Sequence, residues 1–238
     1  MNLKENITAV NSRIAAAALR VGRDPGEITL VAATKVQTSE TIRAAIAAGI
    51  MACGENRVQE MAAHLDDDAY AGARLHFIGH LQTNKVKQVV GRVDLIESVD
   101  SLRLLDAIGK RAGELEMVQD ILLEVNIAGE ESKGGIAPAE LPALVEKAVE
   151  NPHIRLRGLM CIPPIVVPGG SNRKFFAQTR QLFVDIRTKI SDNDTDIDCL
   201  SMGMSGDFED AVEEGATLVR VGTALFGPRP PVTDIHQG

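Results

Sequence analysis

Lys35 closes the run Ile28-Thr-Leu-Val-Ala-Ala-Thr-Lys35, an apolar stretch that ends in a primary amine. Burial disfavours the ammonium form, and a neutral amine in a pocket is what Schiff-base chemistry with a carbonyl group needs. A lysine that snorkels its head to water at a strand end fits the same residues. A second group stands far along the chain, in Ser201-Met-Gly-Met-Ser-Gly206 and Arg220-Val-Gly-Thr223. Gly203, Gly206 and Gly222 let backbone N–H groups come close to a ligand, and Ser201, Ser205 and Thr223 add hydroxyls. A helix starting at 206 would aim its N-terminal dipole at an anion, so the pair of segments suits a phosphate. The same Gly/Ser turn could equally just cap that helix. Arg220 suits a ring-nitrogen partner or a salt bridge with Glu124 or Glu97. Asn56 could hydrogen-bond a ring hydroxyl or cap a helix over 56–65, and His80 could line a pocket or cap a loop. His76 and His80 have no third ligand nearby, which argues against zinc.

These residues need elements to bring them together. Short apolar runs at 28–34, 50–54, 75–79, 93–98, 120–126, 155–161, 197–202 and 217–222 read as eight strands. Helical segments follow at 38–48, 56–65, 82–90, 101–113, 138–150, 173–190 and 206–214, after an amphipathic helix over 3–21. Near-continuous apolar strands alternating with helices imply a parallel sheet covered on both faces. Eight such units predict a (β/α)₈ barrel with an extra N-terminal helix. An open doubly wound sheet is the alternative, but no GxGxxG follows the first strand. Barrel enzymes place their chemistry at the C-terminal strand ends, and the seventh and eighth ends often hold phosphate. Those ends here carry Lys35, Asn56, His80, Glu97, Glu124, Met160, the Ser201–Gly206 segment and Arg220 to Thr223. A phosphate on one side of the mouth and an amine on the other suit pyridoxal 5′-phosphate (PLP).

Bulk properties narrow the setting. A net charge of −8 argues against general affinity for nucleic acid or an anionic membrane, and an aromatic content of 3% argues against base-stacking platforms. Cys53, Cys161 and Cys199 lie far apart in apolar runs and read as small buried side chains in a reducing compartment. No signal peptide or membrane-spanning run is evident, so the cytoplasm is expected. Asp192-Asn-Asp-Thr-Asp196 lacks the glycine and glutamate of a calcium loop and reads as a solvated acidic loop. Residues 1–228 are expected to form one domain, with 229–238 a disordered tail.

Seven segments together resemble a known family: Leu30-Val-Ala-Ala-Thr-Lys35, Gly54-Glu-Asn-Arg-Val-Gln-Glu60, His76-Phe-Ile-Gly-His-Leu-Gln-Thr-Asn-Lys85, Val125-Asn126 with Glu130-Glu-Ser-Lys133, Gly158-Leu-Met160, Leu200-Ser-Met-Gly-Met-Ser205, and Arg220-Val-Gly-Thr223. The chain is similar to the PLP homeostasis proteins, whose barrel is related to the N-terminal domain of alanine racemase. The resemblance implies PLP linked to Lys35, phosphate contacts from Ser201, Ser205, Gly222 and Thr223, and Arg220 at the ring nitrogen. It places Asn56 near the ring, with His80 and Met160 in the pocket lining. It also implies a role in intracellular PLP and amino-acid balance, with PLP-requiring apoenzymes as recipients. The acidic surface and the self-contained barrel suit a monomer. The alternative is a PLP-dependent amino-acid racemase. That chemistry needs a second acid/base facing the aldimine. The only tyrosine, Tyr70, lies in a stretch that reads as surface, so the sequence favours holding the cofactor over turnover.

Overall fold

In the computed structural model, eight strands close into a parallel barrel in strictly sequential order, with the last paired to the first. The structure describes residues 2–130, 133–165, 171–190 and 197–228; the acidic loop 192–196 and the tail 229–238 lie outside them. The strands are β1 (Thr29–Ala33), β2 (Ala52–Glu55), β3 (Arg74–Phe77), β4 (Leu95–Val99), β5 (Gln119–Val125), β6 (Ile154–Cys161), β7 (Cys199–Ser201) and β8 (Leu218–Val221). The helices are α1 (Leu3–Arg20), α2 (Ser39–Ala47), α3 (Val58–Asp66), α4 (Leu102–Glu114), α5 (Leu141–Glu150), α6 (Arg173–Ile190), α7 (Phe208–Glu213) and α8 (Thr223–Phe226). The expected barrel and its extra N-terminal helix are both present.

Alternation along each strand sorts the core into two layers. Outward-facing Leu30, Ala32, Cys53, Leu75, Phe77, Ile96, Ile121 and Leu123 join the helices in one large apolar cluster. Inward-facing Val31, Ala52, Leu95, Leu122, Met160 and Leu218 form a separate cluster that fills the barrel. Each fully buried Leu or Ile of these layers contributes roughly 1.5–3 kcal/mol of hydrophobic stabilisation. The interior plug is therefore a packed floor, and ligands must sit above it.

The helix starts follow local chemistry. Asn2 caps α1 through a capping box with Glu5, Thr38 accepts the Thr41 N–H at α2, and Ser101 accepts the Leu104 N–H at α4. Helix α1 lies over α7 and α8, held by Arg13–Glu209 and Arg20–Glu213 pairs and by the Asn6 amide donating to the Leu225 carbonyl at 2.7 Å. The helix expected over 82–90 is a 3₁₀ helix over Thr83–Gln88. Val86, Val89 and Val90 are all buried there, and β-branched residues lose rotamer freedom in an α-helix. Among the described residues no helix is long and apolar enough to cross a membrane.

Candidate functional site

Continuing each inward column upward, past the apolar floor, gives the composition of the mouth. Val31 leads to Ala33 and Lys35, Leu122 to Glu124, Met160 to Ile162, and Leu218 to Arg220 and Gly222. A cavity of about 430 Å³ opens at this end, lined by Lys35, Asn56, His80, Glu124, Ser205, Arg220, Gly222 and Thr223 among others. A wider one, about 890 Å³, lies at the strand starts and is lined by none of the residues chosen from sequence. Its size gives it no claim to the chemistry, because among the described residues no lysine and no glycine-rich loop lines it.

Lys35 is half-buried and stands just beyond β1, in a turn closed by the Gln37 N–H donating to the Thr34 carbonyl at 3.0 Å. Val36 holds a left-handed backbone, φ 59°, which is costly for a β-branched residue. The Glu60 carboxylate accepts its N–H at 3.1 Å and fixes the turn. The residues just before Lys35 and Asn56 are tied together as well. Thr34 donates to the buried Glu55 carboxylate at 2.5 Å, and Tyr70 donates to the same oxygen at 3.0 Å. Burial raises the Glu55 pKa against these two hydrogen bonds. Tyr70 is thus buried behind the barrel wall, correcting its reading as a surface residue. Its neighbours Asp66 to Asp68 end a helix at the surface, while its own ring turns inward.

Asn56 does not cap α3; the cap position is Arg57, which makes no side-chain cap bond. The Asn56 side chain lines the cavity, and its amide oxygen is buried without a hydrogen-bond partner. Gly79 packs directly on its backbone: a Cβ there would lie 2.2 Å from the Asn56 carbonyl oxygen. His80 sits at the rim, 66% exposed, with Nδ1 3.6 Å from Asp100.

Arg220 is buried and donates to the Ser201 hydroxyl at 2.5 Å and to the Cys161 carbonyl at 2.9 Å. Its salt-bridge partner is Glu97 at 3.8 Å, which also accepts from Ser201 at 2.6 Å and meets His76 at 2.7 Å. Burial pushes the Glu97 pKa up, but His76, Arg220 and Ser201 together outweigh it and hold the carboxyl below its ordinary range. Ser201 is therefore committed to Arg220 and Glu97 and does not line the cavity. Nor does Met160, which is fully buried in the floor; Ile162, two residues on, takes that place in the wall. Ser205 is in the wall, and its hydroxyl accepts the Gly222 and Ala224 N–H groups at 3.2 and 3.3 Å. An anion's oxygens could take over those donors. The loop is pinned from below, where Asp207 accepts the Met204 N–H and the buried Asn172 amide, each at 2.7 Å. Helix α7 starts at Phe208, two residues later than expected, and the N–H groups that meet Ser205 stand instead at the start of α8.

Glu124 also lines the cavity, although the sequence reading gives it only as an alternative partner for Arg220, the position that Glu97 holds. Burial first, then the nearby Asp100 charge, pushes the Glu124 pKa up to about 7, against the opposing pull of Arg220 and His80. Its inward register above Leu122 was the available signal. The thiols contribute nothing here. Burial raises Cys53 to about 12 and Cys161 to about 11. Cys199 is only partly buried, unlike the expectation, and lies at the opposite end.

The family model "Alanine racemase, N-terminal domain" matches residues 4–230. A pyridoxal phosphate homeostasis protein of Aquifex aeolicus is 43% identical over 229 residues, covering 96% of this chain and 99% of that one. The solved structure of PipY from Synechococcus elongatus PCC7942 with PLP bound is 35% identical, covers 92% of this chain and 100% of that one, and superposes with a TM-score of 0.79. Alanine racemase of Clostridium difficile 630, at 13% identity, covers 96% of this chain but 57% of its own, with a TM-score of 0.69; it shares the fold. By these matches, the chain belongs to the pyridoxal phosphate homeostasis protein family, built on the alanine racemase N-terminal domain.

Proposed function

We propose that this chain binds PLP at the barrel mouth, with Lys35 joined to the aldehyde carbon, and serves intracellular PLP and amino-acid balance by holding and handing on the cofactor. The observation that carries this is the convergence of Lys35, Asn56, Arg220, Ser205, Gly222 and Thr223 on one cavity. The residues fit the group. The orphaned Asn56 amide oxygen suits the ring hydroxyl, and the Ser205–Gly222–Thr223 corner suits the phosphate. Ser201 and Met160 act one layer lower, Ser201 by steadying Arg220 and Met160 by flooring the pocket. His80 borders the entrance.

When bound, PLP supplies an electrophilic carbon and an electron sink. Arg220 sets how strong that sink is. A guanidinium donates hydrogen bonds and accepts none, so it pairs with an unprotonated ring nitrogen and disfavours the protonated one. A weak sink disfavours removing a proton from carbon, which a racemase must do. Tyr70 points at Glu55, so this tyrosine does not supply the second acid/base. Holding is thus better supported than racemisation.

We also take residues 1–228 as one PLP-binding unit, monomeric and cytoplasmic, passing PLP to apoenzymes that need it. Titration of purified protein with PLP should produce the yellow absorbance of a lysine-bound cofactor. A protein that stays spectrally unchanged would refute the binding role. Steady racemisation of an amino-acid panel, abolished in Lys35→Ala, would instead favour the racemase.

A further inference from the structure

We propose that Glu124 is the proton acceptor for an incoming primary ammonium compound, such as a free amino acid, that displaces Lys35 from the cofactor. This deepens the reading above and rests on it. Three structural observations support it. In a closed barrel of eight sequential strands, β5 lies four strands from β1 either way round, so Glu124 faces Lys35 across the mouth. Both line the same cavity. The Glu124 residue is only 6% exposed, yet among the described residues its carboxyl makes no hydrogen bond or ion pair. The contrast with Glu97, one strand away and fully engaged, is direct. A buried carboxylate accepts up to about four hydrogen bonds, and this one has its acceptors free toward the cavity.

The groups that face it are Asp100 beyond β4, His80 beyond β3, Arg220 on β8 and Lys35 beyond β1. Gly134 closes over the acidic pair: a Cβ there would lie 3.5 Å from Glu124 Oε1 and 3.6 Å from Asp100 Oδ2. The Asp100 charge and burial poise the carboxyl near neutrality, where a general base is most effective.

An alkyl amine reaches the site as an ammonium with no free electron pair. Glu124 takes one proton. The freed pair forms a bond to the carbon that is doubly bonded to Lys35 Nζ, and one pair of that double bond moves onto Nζ. A proton then passes from the incoming nitrogen to Nζ, the pair it leaves behind forms the second bond to the carbon, and the remaining carbon–Nζ bond breaks with its electrons staying on Nζ. Lys35 then takes the proton back from Glu124. Protons and electrons balance, and no oxidant or reductant enters.

The test compares glycine with methoxyamine, which is already unprotonated at neutral pH, on PLP-loaded protein. Absorbance follows loss of the Lys35 link. Glu124→Gln should slow displacement by glycine on the order of 10²-fold, leave methoxyamine unchanged, and be partly rescued by Glu124→Asp. Equal glycine rates in wild type and Glu124→Gln would overturn the inference, as would equal slowing with both amines. Wild-type protein that never forms the Lys35 link would overturn the parent reading instead. In cofactor-free protein, NMR of labelled glutamate carboxyls should show one titration near 7 that vanishes in Glu124→Gln. Its absence would also count against the proposal.

Discussion

At the scale of single residues, three side chains divide the work by where their charge is satisfied. Arg220 is held by Ser201, Cys161 and Glu97, so its direction is set before any ligand arrives. Arg220→Ala should speed PLP loss on dialysis by about 10- to 100-fold, the range for losing a charged hydrogen bond. The same change strands the Glu97 carboxylate and should cost about 3–5 kcal/mol of stability. Arg220→Lys keeps the charge and separates the two effects. Glu124 carries a pH signature. Its folded pKa, about 7, stands above its unfolded value, so its contribution is fully present below the unfolded pKa and is lost as pH rises through 7. Urea unfolding of the cofactor-free protein should therefore show Glu124→Gln gaining on wild type between about pH 4.5 and 7, by at most about 3 kcal/mol. A difference that stays flat with pH would contradict this. Lys35 was legible from its run of apolar neighbours. The division between Glu97 and Glu124 was not, because both stand at strand ends and only packing shows which one meets Arg220.

At the scale of elements, strand alternation explains both what was readable and what was missed. Every strand was evident because a buried parallel strand reads as an apolar run. The same alternation places Lys35, Glu124 and Arg220 inward, two residues above Ala33, Leu122 and Leu218. Met160 lies one layer below the cavity wall, since β6 continues its inward column to Ile162. The tie between β1 and β2 was hidden, because Tyr70 follows three aspartates and nothing in that composition marks a ring that turns inward to Glu55. Tyr70→Phe should remove one of two donors from a buried carboxyl and cost about 1–3 kcal/mol, measurable by urea unfolding. Gly79→Ala should be more damaging, since its Cβ would press on the Asn56 backbone. That variant should bind PLP more weakly as well as unfold earlier; unchanged affinity would show that the Asn56 position does not matter for binding.

At the scale of the whole molecule, the barrel separates a packed floor from a polar mouth and leaves the strand ends to supply chemistry. The net charge of −8 is compatible with a phosphate site because the cations are local: Arg220 and Lys35 line the same cavity. The barrel was predictable from eight repeated units, and the corner at Ser205 and Gly222 from its glycines and hydroxyls. That a short helix begins at this corner was not, because α8 gives no periodic signal over four residues. The proposed covalent link between Lys35 and PLP underlies every other role assigned to the mouth. Borohydride reduction of the PLP-loaded protein, followed by peptide mapping, tests it most directly. The modification should fall on the peptide bearing Lys35 and disappear in Lys35→Ala. Modification spread over surface lysines, or undiminished in Lys35→Ala, would contradict the account.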